Sequence, residues 1–153
     1  MIELTLPYPI SANKYWRTRV IAARGAQPAI VQTYVSPEAR AYREQCGWLL
    51  KAAGIREPIK GRIDVRVKLY PHRPLDYKTR MRKLGAEWDT TVMCMDLTNA
   101  EKVLLDALNV LAFEDDKLVW HYEADRMEPD DKGARVEISI APIRVQQPQE
   151  ALL

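Results

Sequence analysis

The chain of 153 residues has no long apolar run, its purely apolar stretches extending over only a few residues. A membrane-spanning helix needs about 20 consecutive apolar residues, so none can be placed. The apolar core of a signal peptide is missing too, and Glu3 stands where such a leader carries positive charge. The expected compartment is therefore the cytoplasm, with no membrane partner. Cysteine is nearly absent. Cys46 and Cys94 are far apart and form no C-x-x-C pair, which excludes a zinc site of familiar spacing and, in a reducing compartment, a disulfide. They read as buried or bystander thiols. No internal repeat is present. With 29% charged, 8% aromatic and 47% hydrophobic residues, the composition excludes wholesale disorder, a collagen-like chain and a coiled-coil rod. It suits one domain with a core of its own.

A further absence is local. Residues 4–37 contain no acid, while carrying Lys14, Arg17, Arg19 and Arg24 beside Tyr15 and Trp16. The net charge of +2 conceals a division along the chain: residues 1–88 sum to +10, residues 89–131 to −9 and residues 132–153 to +1. A second basic cluster, Lys68 to Lys83, includes Arg73, Lys78, Arg80 and Arg82 against a single acid, Asp76. Basic segments interleaved with aromatics suit a phosphate backbone with unstacked bases, although a solvated surface is the plainer alternative for either cluster alone. The acidic block either balances that charge or gathers a divalent cation where phosphate also binds.

Hydrophobic periodicity gives the organisation. Ile2 to Leu6 alternates as a strand and stops at Pro7 and Pro9, after which a basic loop or loose hairpin follows. Ser36-Pro37-Glu38 opens a helix, with Ser as cap, Pro in the first turn and Glu at the positive end of the dipole. This helix is predicted to run to about Ala53, with Gly54 as its stop. Residues 62–70 alternate cleanly, Ile63, Val65, Val67 and Leu69 facing inward. Residues 71–95 show no period and read as a long loop, of a length that is usually functional. A second helix runs from near Thr98 to about Leu111. Residues 118–124 and 136–140 read as strands joined by the turn 128–133 into an antiparallel pair, and residues 142–153 as a frayed tail. The fold class is α+β: a single domain over residues 1–141, with a mixed β-sheet and two main helices in the order β-α-β-α-β-β.

The second helix carries the chemistry. Asn99, Lys102, Asp106 and Asn109 recur at helical spacing and form a polar stripe, opposite Val103, Leu104, Ala107, Leu108 and Leu111. Taken alone, the stripe is a solvated face with a Lys102–Asp106 pair worth a few tenths of a kcal/mol. The flanks argue for more, because Asp96 precedes the helix and Asp115-Asp116 follow it.

This segment resembles the RusA family of Holliday junction resolvases, metal-dependent endonucleases common in phages and prophages. The family signature D-x-D-N-x-x-K-x-x-x-D-A-L, followed further on by a D-D pair, is matched by Asp96, Asn99, Lys102, Asp106-Ala107-Leu108 and Asp115-Asp116. Pro7-Tyr8-Pro9 and Ser11-Ala12-Asn13-Lys14 are similar to the family's P-x-P and S-x-N opening. The resemblance implies a homodimeric endodeoxyribonuclease that cuts four-way junctions and other branched DNA by phosphodiester hydrolysis, in the host cytoplasm if phage-encoded. It implies Asp96 and Asp116 as catalytic carboxylates holding Mg²⁺, with Mn²⁺ as substitute, Asp115 as a third metal-site acid and Lys102 as the catalytic lysine. It makes two basic segments the DNA-facing walls, through Asn13, Lys14 and Arg17 in one and Arg73, Lys78, Arg80, Arg82 and Lys83 in the other.

One position departs. The second aspartate of the signature is Thr98 here, and Thr98-Asn99-Ala100-Glu101 reads instead as a capping box, with Thr98 as the cap. Three outcomes are open: Asp96 and Asp116 suffice, Asp89, Asp115 or Glu101 completes the metal site, or the protein mainly binds junctions with little catalysis. A small metal-dependent nucleotide hydrolase fits the carboxylates but leaves the basic segments without a purpose. His72 and His121 do not form a ligand pair. Trp16 suits stacking on DNA, Trp48 and Trp120 read as core, and Trp88 as either.

Overall fold

A computed structural model describes residues 1–149. A four-stranded sheet has the order β1-β6-β4-β5, formed by Ile2–Pro7 (β1), Arg135–Pro142 (β6), Ile63–Tyr70 (β4) and Val119–Arg126 (β5). β6 is antiparallel to both β1 and β4, whereas β5 is parallel to β4, so the sheet is mixed. Two long helices, α2 (Pro37–Ala52) and α4 (Leu97–Leu108), pack on the sheet, and the expected β-α-β-α-β-β order is retained by these six elements. Between them are a short helix, α1 (Ala12–Tyr15), a two-stranded ribbon of β2 (Trp16–Ile21) and β3 (Ile30–Val35), and α3 (Tyr77–Leu84).

The core follows the periodicities. Ile63, Val65, Val67 and Leu69 of β4 are at most 2% exposed, and Val136, Ile138 and Ile140 of β6 meet them. From α4, Ala100, Val103, Leu104, Ala107 and Leu108 enter the same core. Burying Val103, Leu104 and Leu108 contributes roughly 5–9 kcal/mol in gross terms. α2 begins as its sequence dictates: the Ser36 hydroxyl accepts from the Ala39 N–H, Pro37 occupies the first turn, and Gly54 follows the last turn with φ +94°.

Several expectations are corrected. Of the two readings of the basic segment after Pro9, the hairpin holds and the loop does not: it is the antiparallel β2–β3 ribbon. The stretch 71–95 contains α3 and a 3₁₀ segment, Gly85–Thr91, instead of one long loop. Its period was hidden because α3 buries none of its residues and so needs no apolar stripe. β5 and β6 are not partners. A strand that returns from β4 through a helix lies parallel beside it, and β6 then takes the opposite side of β4. Trp48 and Trp120 are 63% and 60% exposed, not core. Trp48 lies off the α2 face defined by Ala39, Tyr42, Cys46 and Leu50. Trp120 occupies an irregularity in the β4–β5 register, where Ile63 pairs Val119 but Asp64 pairs His121. The extra residue reverses the alternation and turns the indole outward, beneath Arg62. The cysteines are free, Cys46 buried and Cys94 half-buried. Of the expected tail, residues 143–148 carry no helix or strand, although the Ile143 N–H donates to the Arg62 carbonyl. Residues 150–153 lie outside the described residues.

The link from β5 to β6 is closed by Arg135. Its guanidinium is almost buried, stacks on Tyr70, and bonds both Asp130 oxygens (2.7 and 2.8 Å) and Glu137 (3.1 Å). Hydrogen bonding from Arg135 holds the Asp130 carboxyl down at about 2. A carboxyl whose folded pKa is depressed stabilises fully above its unfolded value, about 3.9, and loses that contribution as pH falls through the folded value. Asp130→Asn is therefore expected to be less stable than the parent in urea denaturation at pH 7. The difference should narrow steadily between about pH 4 and pH 2.

Candidate active site

α4 is oriented by its buried face, which leaves Thr98, Glu101, Lys102, Leu105 and Asp106 along a groove of about 530 Å³. Trp16, at the root of the ribbon, and Asp116, at the start of the 3₁₀ turn before β5, complete the lining. Asp116 reaches the helix because the chain doubles back after Leu108. Val110 adopts φ 70°, a left-handed conformation rare for a β-branched residue, and its N–H donates to the Phe113 carbonyl (2.8 Å). Phe113 is fully buried and anchors the return, supported by the Ile59 N–H on the Ala112 carbonyl (2.8 Å).

The approach to α4 is held from two sides. The Tyr8 hydroxyl accepts from the Met95 N–H (2.7 Å), and Arg126 donates to the carbonyls of Asp89 and Val92 (2.9 and 2.8 Å). Asp96 is the exposed N-cap residue of α4, but its side chain makes no capping bond. The expected capping box is thus not formed. Thr98 lies inside the first turn because the helix starts at Leu97, one residue earlier than the pattern suggests. Lys102 and Asp106 make no ion pair. Asp106 instead accepts a short hydrogen bond from the hydroxyl of Tyr15, whose side chain is wholly buried. Burial, then the bond to Asp106, pushes the Tyr15 phenol well above its ordinary range.

The structure thus brings Lys102, Asp106 and Asp116 to one groove and adds Glu101 and Trp16. Asp96 stands at the N-terminal end of the same helix and does not line it. Asn99 is half-buried outside the lining, and Asn109 is the C-cap, its carbonyl accepting from Arg43 (3.3 Å). The Asp115 carboxylate is engaged by the Lys117 N–H (3.0 Å) and ammonium (3.3 Å), which hold its pKa below the usual range. Of Asp89, Asp115 and Glu101, only Glu101 faces the groove. Beneath it, the Tyr122 phenol is pushed up by burial and by the Glu101 charge. Tyr15 was not legible as a site residue, since nothing in its spacing links it to a helix 91 positions away.

The basic residues divide by what they already hold. Arg80 pairs with Asp76 (2.9 Å) and donates to Thr91, tying α3 to the 3₁₀ segment. Arg17 pairs with Glu38 (2.9 Å), and Arg73 lies over Tyr77. Lys14, Lys78, Arg82 and Lys83 are exposed and make no ion pair among the described residues.

Donor chemistry tests the cation that the resemblance implies. Among the described residues, no three His, Cys, Asp or Glu side chains converge closely enough to hold a metal ion by themselves. The charged donors at the groove and helix N-terminus are carboxylates, without His or Cys. This fits Mg²⁺, which takes one or two carboxylates and leaves its other positions to water and phosphate.

The fold and site define an α+β domain in which a helix presents a lysine and carboxylates to an open groove flanked by a basic ribbon. Residues 7–141 match the family model described as endodeoxyribonuclease RusA, and the chain belongs to that family. It is 33% identical to the crossover junction endodeoxyribonuclease RusA of Escherichia coli strain K12, over 90% of this chain and 92% of that protein. The corresponding protein of enterobacteria phage 82 is 32% identical over the same shares.

The Tyr15–Asp106 bond joins a buried phenol to a carboxylate at the groove. Tyr15→Phe removes only the donor and is expected to lower stability by about 1.5–3 kcal/mol in urea denaturation, the range for a hydrogen bond to a charged group.

Proposed function

We propose that this protein is a crossover junction endodeoxyribonuclease, which cuts four-way junctions and related branched DNA by phosphodiester hydrolysis, leaving ligatable nicks. Family membership over residues 7–141 carries the activity, and the groove beside α4 supplies residue types suited to it. The approximate two-fold symmetry of a four-way junction favours a homodimer making paired incisions. The domain is assigned to residues 1–141, acting in the cytoplasm.

Asp96 and Asp116 are the residues assigned to hold Mg²⁺, or Mn²⁺ in its place, with Glu101 a further groove carboxylate to support them. When bound, the cation supplies Lewis-acid polarisation of the scissile phosphodiester. The Lys102 ammonium is exposed beside the groove, where it holds a phosphate oxygen and offsets negative charge growing in the transition state. The first turn of α4 adds free N–H groups and the positive end of its dipole, because the Asp96 side chain does not consume them. Asp115 serves this site indirectly, by shaping the turn that carries Asp116.

Cleavage of a synthetic four-way junction in Mg²⁺ tests the assignment. Asp96→Asn, Asp116→Asn and Lys102→Ala should each slow cutting by about 100-fold or more, equivalent to about 3 kcal/mol of transition-state stabilisation, while junction binding in EDTA persists. Full activity in both aspartate variants would remove the assigned metal site. Binding without cleavage by the parent in either metal would leave a junction-binding protein. Thr98→Asp separates the remaining possibilities. A gain in rate of roughly tenfold or more, about 1.4 kcal/mol, would mark a site short of one carboxylate, and an unchanged rate would mark a site complete without it, with a loss of rate in Glu101→Gln then distinguishing replacement by Glu101 from sufficiency of Asp96 and Asp116.

A further inference from the structure

The β2–β3 ribbon stands apart from the rest of the fold. A two-stranded hairpin is marginal in water unless something packs on it, yet every residue from Arg17 to Thr33 is exposed. Its cross-strand pairs Val20–Val31 and Ile21–Ile30 remain 41–73% exposed at the far end. The root, by contrast, is rigid. The Ser36 hydroxyl donates to the Lys14 carbonyl (2.6 Å), the Ser36 N–H donates to the Tyr15 carbonyl (2.9 Å), Tyr15 is bonded to Asp106, and Trp16 lines the groove. The ribbon therefore projects in a fixed direction from the site of cutting.

Its charge identifies the partner. No acid occurs within it, and its one ion pair among the described residues is Arg17 with Glu38 of α2. Arg19 is held on Gln32 (2.9 and 2.8 Å) and lies over Tyr34, partners that orient the guanidinium without neutralising it. Arg24 stands at the tip, where Arg24 and Gln27 exchange backbone bonds (3.0 Å) around a turn in which Gly25 takes φ +59°. From Trp16 to Ile21 the strand spans about 20 Å at roughly 3.3 Å per residue. That is the length of about six base pairs, given one phosphate per 3.4 Å of each strand.

We propose that the β2–β3 ribbon is a DNA arm that lies along one duplex arm of the substrate, Arg19 holding a phosphate within about six base pairs of the cut and Arg24, beyond the end of the strand, one farther out. The inference rests on the junction-cutting reading for its substrate, but on the ribbon's own geometry and charge for its contacts. Phosphate contacts of this kind act through counterion release, so each one steepens the fall of affinity with salt by about one unit of slope.

The test uses the full chain in EDTA, a synthetic four-way junction and a linear duplex of the same sequence. Affinity is measured against salt, and hydroxyl-radical footprints are taken on both DNAs. Arg19→Ala/Arg24→Ala is expected to lower the slope of log K against log salt by about 2. It should also lose the protection farthest from the branch, and Arg19→Lys/Arg24→Lys should restore most of the slope. A parent-like slope and footprint in the alanine variant would overturn the proposal. So would a change from dimer to monomer in sedimentation, which would make the ribbon a contact between copies of the chain. Equal binding of junction and linear duplex by the parent would sink the junction reading instead, while the ribbon remains judged by the slope on the duplex.

Discussion

The burial of one face of α4 is the constraint from which the site follows. Ala100, Val103, Leu104, Ala107 and Leu108 are each at most 1% exposed, so the helix cannot turn about its axis without lifting several of them into water. Each such exposure of a large side chain costs about 1.5–3 kcal/mol. With the rotation fixed, Thr98, Glu101, Lys102, Leu105 and Asp106 must face the groove. The parallel placement of β5 beside β4 then fixes where the returning chain enters the sheet, and hence where Asp116 lies. The strained Val110 turn is tolerated because Phe113, buried immediately beyond it, holds the return in place.

Much of this was legible because it depends on local pattern. The alternation of β4 and the apolar set of α4 named the core correctly, and Ser36-Pro37 named the start of α2. Most of what failed depended on partners distant in the chain. Trp120 looks like core by alternation, and only the register irregularity against β4 reverses it. α3 has no apolar stripe to read, because it packs mainly on the neighbouring 3₁₀ segment. Thr98 has the right residue type for a cap. The cap belongs to Asp96 because the chain there is held by Tyr8 and Arg126, neither of which local sequence can reveal. The stripe of Asn99, Lys102, Asp106 and Asn109 was half legible: two members face the groove, while α4 ends at the last.

Charge that looked like two undivided blocks is sorted by the fold. On the sheet face opposite the helices, Arg66 answers Asp64 and Glu123, and His121 bonds Asp64, so much of that charge is balanced locally. Arg80 and Arg135 work as internal ties. Within the two basic clusters, the exposed cations without an ion pair among the described residues are Arg19 and Arg24 on the ribbon, Lys14 at its root, Lys68 on β4, and Lys78, Arg82 and Lys83 on α3. These are the side chains through which salt should act, because charges already paired release few counterions on binding.

The threonine at position 98 gains meaning from this arrangement. A carboxylate in the first turn of α4 would gain about 0.3–1 kcal/mol from the helix dipole, so helix stability does not explain its absence. The groove still carries Glu101, Asp106 and Asp116 against one ammonium, Lys102. Asp106 is committed to Tyr15, which leaves Glu101 and Asp116 as the groove carboxylates not engaged by that phenol. Glu101 lies three residues, nearly one turn, beyond Thr98 on the same side of the helix. Its charge already reaches the buried Tyr122 phenol. A longer side chain one turn farther on can present a carboxylate to the same space, and this is the geometric basis for proposing Glu101 in place of an acid at position 98.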